Sequence, residues 1–166
     1  LSIYLGGDME QKIIVMGADP SGYELKNAVK SHLQAKNYTI KDITESGPIG
    51  YCDVGDKVGA IISEHPEYIG FVFCGTGMGV SISANKHKNV YCGVCESVTT
   101  ARFCKVINNC NMLAMGGLLI TPFKANMMVD AYLSATFTQG FSEATPDDLQ
   151  CGLQTMKEVE KRIYTD

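Results

Sequence analysis

Five short strand-like segments, most of them apolar runs and one (residues 39–43) alternating, each followed by a stretch with helical spacing, constrain this chain more than any other feature. Lys12-Ile13-Ile14-Val15-Met16 is the first run, and Gly70-Phe71-Val72-Phe73-Cys74 is apolar throughout. Residues 39–43, 90–94 and 112–115 are the others. Runs this short and rich in β-branched residues read as strands, and continuous apolarity reads as burial on both faces. Between them, Leu25, Ala28, Val29, His32 and Leu33 recur at helical spacing, as do Val54, Val58, Ile61 and Ile62. Further helices are expected over residues 80–86, 99–108 and 122–134, the last with Pro122 in its first turn. The segment 44–52 carries Gly47, Pro48 and Gly50 and reads as a loop. Strand–helix alternation predicts an α/β fold: a single doubly wound domain with a five-stranded parallel sheet, order 2-1-3-4-5, and helices on both faces. A last helix, opened by Asp147 and Asp148, carries Leu149, Leu153, Met156, Val159 and Ile163 on one face. The sheet is complete without it, so this C-terminal helix is expected to serve dimerisation.

The length of 166 residues fits one domain, assigned to 11–166, with residues 1–10 as an N-terminal extension that matches no later pattern. A net charge of -4 without a Lys/Arg block argues against nucleic acid and anionic membranes as partners. No apolar run reaches the ~18 residues that span a bilayer. The apolar stretch from Leu1 to Leu5 is too short for a secretory signal and is followed by Gly6, Gly7 and Asp8. The seven cysteines are therefore expected to be reduced, in a cytoplasmic protein.

In a doubly wound sheet, ligands bind where the strand order reverses, here between strands 1 and 3. That rule places Gly17-Ala18-Asp19 and Cys74-Gly75-Thr76-Gly77-Met78-Gly79 beside one crevice. Alternating glycines let backbone amides approach a ligand oxygen closely, and a following helix favours an anion, including a thiolate at Cys74. Such a loop suits a developing enediolate, with Cys74 as base and Thr76 as hydroxyl donor. The glycines are equally explained by a tight turn around a buried cysteine, and Asp19 by a turn or helix cap. The loop is neither G-x-G-x-x-G nor a P-loop. Cys92-Gly93-Val94-Cys95, with Cys104 and Cys110, is the one candidate metal or dithiol set. Residues three apart on a strand face opposite sides, so these cysteines read as buried small hydrophobes, with no metal. His32 reads as a core histidine, His65 as a helix end and His87 as solvated.

The segment from Cys74 through Gly79 and on to Val80-Ser81-Ile82-Ser83-Ala84-Asn85-Lys86 closely resembles the signature of the ribose-5-phosphate isomerase B and galactose-6-phosphate isomerase family. Gly17-Ala18-Asp19 with Gly22 and Leu25-Lys26, the stretch 108–116, and Met128-Val129-Asp130-Ala131-Tyr132-Leu133 agree in order and spacing. The resemblance covers residues 12–140. It implies a cofactor-free aldose–ketose isomerase acting on a small sugar phosphate, by default ribose 5-phosphate and ribulose 5-phosphate of the pentose phosphate pathway. It implies Cys74 as the base and Thr76 with the amides of Gly75, Gly77, Met78 and Gly79 around the oxyanion. Asp19 would bind sugar hydroxyls, and Asn108 would reach the substrate of a neighbouring subunit in a homodimer or homotetramer. The chain departs from the family pattern at Pro20 and Ile107, where histidines are usual, and at Leu118, Phe141 and Thr145, where phosphate-binding arginines are usual. It also departs at Gly50 and Cys52, which flank Tyr51. Alternatives that remain open are an isomerase of another or open-chain sugar, one subunit of a hetero-oligomeric isomerase, and a non-catalytic sugar-phosphate-binding homologue.

Overall fold

A computed structural model describes residues 12–165, so the extension expected over residues 1–10 lies outside the described residues. The elements run β1 (Ile14–Ala18), α1 (Tyr23–Ala35), β2 (Ile40–Asp42), α2 (Tyr51–Glu64), β3 (Ile69–Cys74), α3 (Met78–Ala84), β4 (Cys92–Val94), α4 (Val98–Val106), β5 (Met112–Gly116), α5 (Pro122–Leu133) and α6 (Pro146–Ile163). Every strand pair is parallel. No helix among the described residues is long and apolar enough to cross a membrane.

The sheet order is β2-β1-β3-β5-β4, which corrects the expected 2-1-3-4-5 at its far edge. The reason lies in burial. All of β5 is buried, whereas β4 has three residues and faces solvent at Val94. A fully apolar strand fits the interior, and a short one fits the edge. The swap matters, because it pairs Cys74 with Gly116 rather than with the end of β4.

Alternation along the central strands builds two cores. Ile14, Met16, Ala18, Phe71, Phe73, Leu113 and Met115 face α1, α4 and α5. Val15, Val72, Cys74, Met112 and Ala114 face α2 and α3. Two helix starts differ from expectation. α2 begins at Tyr51, inside the segment read as a loop, with Gly50 at its N-cap. α3 begins at Met78, because Gly77 (φ 81°) turns the chain into the helix in a conformation that glycine adopts freely. α6 buries only Leu149, while Met156 and Ile163 are 52% and 67% exposed. Glu160 ties it to the β4 edge by accepting from Asn89 N (2.6 Å) and Tyr91 OH (3.1 Å).

His32 clamps α1 to α5 rather than sitting in the core. Its Nε2 lies 2.9 Å from Asp130 Oδ1, and Lys36 Nζ lies 2.7 Å from Oδ2. Burial pushes the Asp130 carboxyl up, but hydrogen bonds from Lys36 and His32 outweigh it and hold the group below its ordinary value. A depressed folded value means the contribution is present above the ordinary carboxylate range and is lost as pH falls through it. Asp130→Asn should therefore lower stability at pH 7 by about 1 kcal/mol or less, since the group is partly exposed. Urea midpoints should show the gap closing below about pH 4.

Candidate active site

The site forms where β1, β3 and β5 end together. Ala18 pairs with Phe73, and Cys74 with Gly116. Beyond the strands, Asp19 N donates to Phe73 O (3.1 Å) and Gly117 N to Cys74 O (2.8 Å). Asp19 and Cys74 thus stand at the same end of adjacent strands, where the switch-point rule places a ligand. The three loops meet backbone to backbone. A Cβ on Gly22 would stand 2.5 Å from the Phe73 carbonyl carbon, and one on Gly117 would overlap the Ser21 carbonyl oxygen.

Cys74 is 5% exposed, and its Sγ accepts a hydrogen bond from Gly77 N at 3.1 Å. The loop therefore folds back onto the sulfur. Met78 N donates to Thr76 Oγ1 at 3.3 Å, so the Thr76 hydroxyl proton remains available to a ligand. Gly79 and Val80 lie in the first turn of α3, where amides lack intrahelical acceptors. Of the five loop residues expected to surround an oxyanion, Gly77 and Met78 thus have their amides turned to Cys74 and Thr76.

Asp19 Oδ1 accepts from Ser21 N and Gly22 N, both at 2.9 Å. The turn reading is correct for this oxygen, and Gly22 is the N-cap of α1. Both of these bonds fall on Oδ1 and none on Oδ2. Asn108 is not brought to Cys74 within the chain. It lines a cleft with Ile107, Leu149, Gly152, Leu153 and Met156, between the end of α4 and α6.

Two further residues, Tyr51 and Leu118, stand over the glycine loop. The ring of Tyr51 covers Gly79, where a Cβ would stand 2.6 Å from Tyr51 Cδ2. The Tyr51 phenol is raised above its ordinary value, first by its hydrogen bond with Cys52, with a smaller contribution from charge at Cys74. Leu118, 74% exposed, reaches over Gly75, with Cδ1 3.1 Å from a Cβ built there. An aromatic at the start of a helix and a leucine after two glycines carry no periodic signal. The β3–β5 pairing brings Leu118 to the loop, and the start of α2 brings Tyr51 there.

The C-x-x-C is split across the sheet, with Cys92 in the α2–α3 core and Cys95 in the α1–α5 core. Burial pushes the Cys92 thiol up to about 12. Among the described residues no three His, Cys, Asp or Glu side chains are grouped to hold a metal ion.

A family model described as Ribose/Galactose Isomerase matches residues 14–148. The chain is 32% identical over 154 residues to a 4-deoxy-4-sulfo-D-erythrose isomerase of Clostridium sp. (strain MSTE9), covering 91% of this chain and 97% of that one. It is 33% identical over 133 residues to the D-erythrulose-4-phosphate isomerase of Pectobacterium atrosepticum, covering 78% and 87% of the two chains. The solved structure of Clostridium thermocellum ribose-5-phosphate isomerase B is similar, with TM-score 0.82 and 30% identity over 92% of this chain and 99% of that one. With its glycine loop and switch-point aspartate on the matching fold, the chain belongs to the ribose/galactose isomerase family.

Proposed function

We propose that this chain is an aldose–ketose isomerase acting on a small sugar with an anionic end, ribose 5-phosphate and ribulose 5-phosphate being the reference pair. The observation that carries the reading is the convergence of Asp19, Cys74 and Thr76 at the ends of paired strands, with Gly77 N on the sulfur. The Cys74 thiolate takes the C2 proton of the open aldose, and the released electron pair forms the C1–C2 double bond. Negative charge moves to O1, where the Thr76 hydroxyl and the first-turn amides of α3 stabilise it. Return of the proton to C1, with transfer of the O2 proton to O1, leaves the ketose carbonyl at C2. Asp19 Oδ2 accepts from a sugar hydroxyl. The test is conversion of a panel of sugar phosphates by the purified chain, and no turnover of any member rejects the reading.

A second reading, within the same chemistry, is a four-carbon sugar carrying its anionic group at C4. Such a sugar cannot close a furanose ring, because the C4 hydroxyl is used or replaced. It needs no ring-opening proton transfer, and Ile107 offers no titratable group for one. Two relatives named for sugars of this kind support it. Ile107→His should raise kcat/KM for ribose 5-phosphate roughly 10- to 100-fold, part of the usual worth of a positioned proton-transfer group. It should leave the rate on erythrose 4-phosphate unchanged. Equal use of both substrates by the unmodified chain removes this second reading.

The exposed Met156 and Ile163 on α6, next to the cleft that holds Asn108, support a homodimer in which this face meets a second copy. Light scattering at micromolar concentration should give at least twice the chain mass, and a strictly monomeric mass refutes the assembly.

A further inference from the structure

Lys26 is the one lysine with no exposed surface among the described residues, and the isomerase chemistry leaves it without a role. Its Nζ donates to Asp42 Oδ2 at 2.7 Å and to Thr44 O at 3.3 Å. Lys30 Nζ reaches the same Asp42 oxygen at 3.0 Å. Asp42 Oδ1 accepts from Thr44 N (2.9 Å) and from Thr44 Oγ1 (3.1 Å). Thr44 is 2% exposed, and its Oγ1 in turn accepts from Ala18 N at 3.1 Å. Burial pushes the Asp42 carboxyl up, but the bonds from Lys26 and Lys30 and the one from Thr44 N outweigh it and keep the group below its ordinary value.

The place of this chain of bonds is informative. β2 ends at Asp42, opposite Met16, and Ile43 N makes the last strand-like bond to Met16 O. Two residues further along β1 no strand remains on that side: Ala18 O accepts from Ile49 N at 3.3 Å, and Ala18 N is left to the Thr44 hydroxyl. The Thr44 hydroxyl takes the position of the missing carbonyl. The next residue is Asp19, whose own amide is held from the other side by Phe73 O. A buried ion pair is a weak source of stability compared with apolar packing of the same volume. A buried carboxylate held by Lys26 and Lys30 on one oxygen and turned to the Thr44 hydroxyl with the other therefore calls for a reason beyond folding.

We infer that Thr44, oriented by Asp42 and Lys26, is a positioning residue that sets the Asp19 carboxylate for substrate. The inference rests on the isomerase reading, because it concerns the same site. Thr44 cannot rotate without leaving Ala18 N unpaired in the core. The small register error that follows passes directly to Asp19, and a misplacement of about 1 Å in a binding group can cost ~100-fold.

The experiment is steady-state kinetics on ribose 5-phosphate and erythrose 4-phosphate, using whichever the unmodified chain turns over. Thr44→Val keeps the shape and removes the hydroxyl. It should raise KM about tenfold with kcat within about threefold, the pattern of lost binding shared by ground and transition states. Thr44→Ser, which restores the oxygen, should return KM to within about twofold. In an Asp19→Ala background, Thr44→Val should add nothing further to KM, because its effect runs through that carboxylate. If Thr44→Val does not fold, Asp42→Asn carries the same test, with the same KM rise and the same loss of effect behind Asp19→Ala. An unchanged KM in the folded variant, or independent effects of Thr44 and Asp19, overturns the inference and leaves the isomerase reading standing. Absence of turnover in the unmodified chain, with no binding of either sugar phosphate by calorimetry, overturns both.

Discussion

Cys74→Ser should lower kcat by about 10²–10⁴-fold, the usual worth of a positioned proton-transfer group. The sulfur sits at the end of β3 with Gly77 N directed at it. A thiolate is a far stronger base near neutral pH than a serine hydroxyl, which stays protonated. Serine is smaller and can still accept from Gly77 N, so the loop should keep its shape. KM should therefore change little, since Asp19, Thr76 and the first turn of α3 are untouched. Comparing kcat and KM for the variant and the unmodified chain separates the two effects. A kcat within tenfold of the unmodified chain would remove Cys74 from the role of base.

Gly117→Ala should be the most damaging small change to the fold around the site. An added methyl group would overlap the Ser21 carbonyl oxygen and stand 3.1 Å from Gly22 Cα. Both are backbone atoms, so no side-chain rotation relieves the clash. Ser21 and Gly22 are in turn fixed by Asp19 Oδ1, and Gly22 is packed against Phe73 and Cys74. Overpacking against backbone of this kind costs about 3 kcal/mol. For a domain of this size that corresponds to a fall in Tm of roughly 6–12 °C. Calorimetry of the variant checks it. Because the clash pushes the Asp19 turn away from the Cys74 loop, activity should fall further than the unfolded fraction explains.

The parts legible in the sequence were those with local patterns. β1 and β3 are apolar runs with β-branched or aromatic residues, and the glycines after β3 mark the loop without help from the rest of the chain. That Asp19 and Cys74 follow adjacent strands at the same end of the sheet is what the switch-point rule expected. The order of β4 and β5 did not follow, because strand order is decided by which strand can be buried on both faces. The evidence was present in residues 112–115, apolar throughout, against Cys92-Gly93-Val94, short and interrupted by glycine. The error kept Gly117 out of the site, and Leu118 entered it only through the family resemblance. Thr44 was illegible for a different reason. A threonine in a loop has no periodicity, and its role depends on Asp42 and Lys26, which belong to two different elements. Tyr51 was missed because the segment before α2 reads as loop, and its ring matters only through its approach to Gly79.

The central claim is proton transfer between C1 and C2 by Cys74. The most direct measurement is proton NMR of the reaction in D2O, with the unmodified chain and Cys74→Ser run side by side on ribose 5-phosphate and erythrose 4-phosphate. Ketose should form from at least one of the two. Deuterium should appear at C1 of that product, because a proton held on a thiol exchanges with solvent before it is returned. Cys74→Ser should show neither within the time the unmodified chain reaches equilibrium. No ketose from either substrate, or ketose formed and deuterated equally fast by Cys74→Ser, would contradict it.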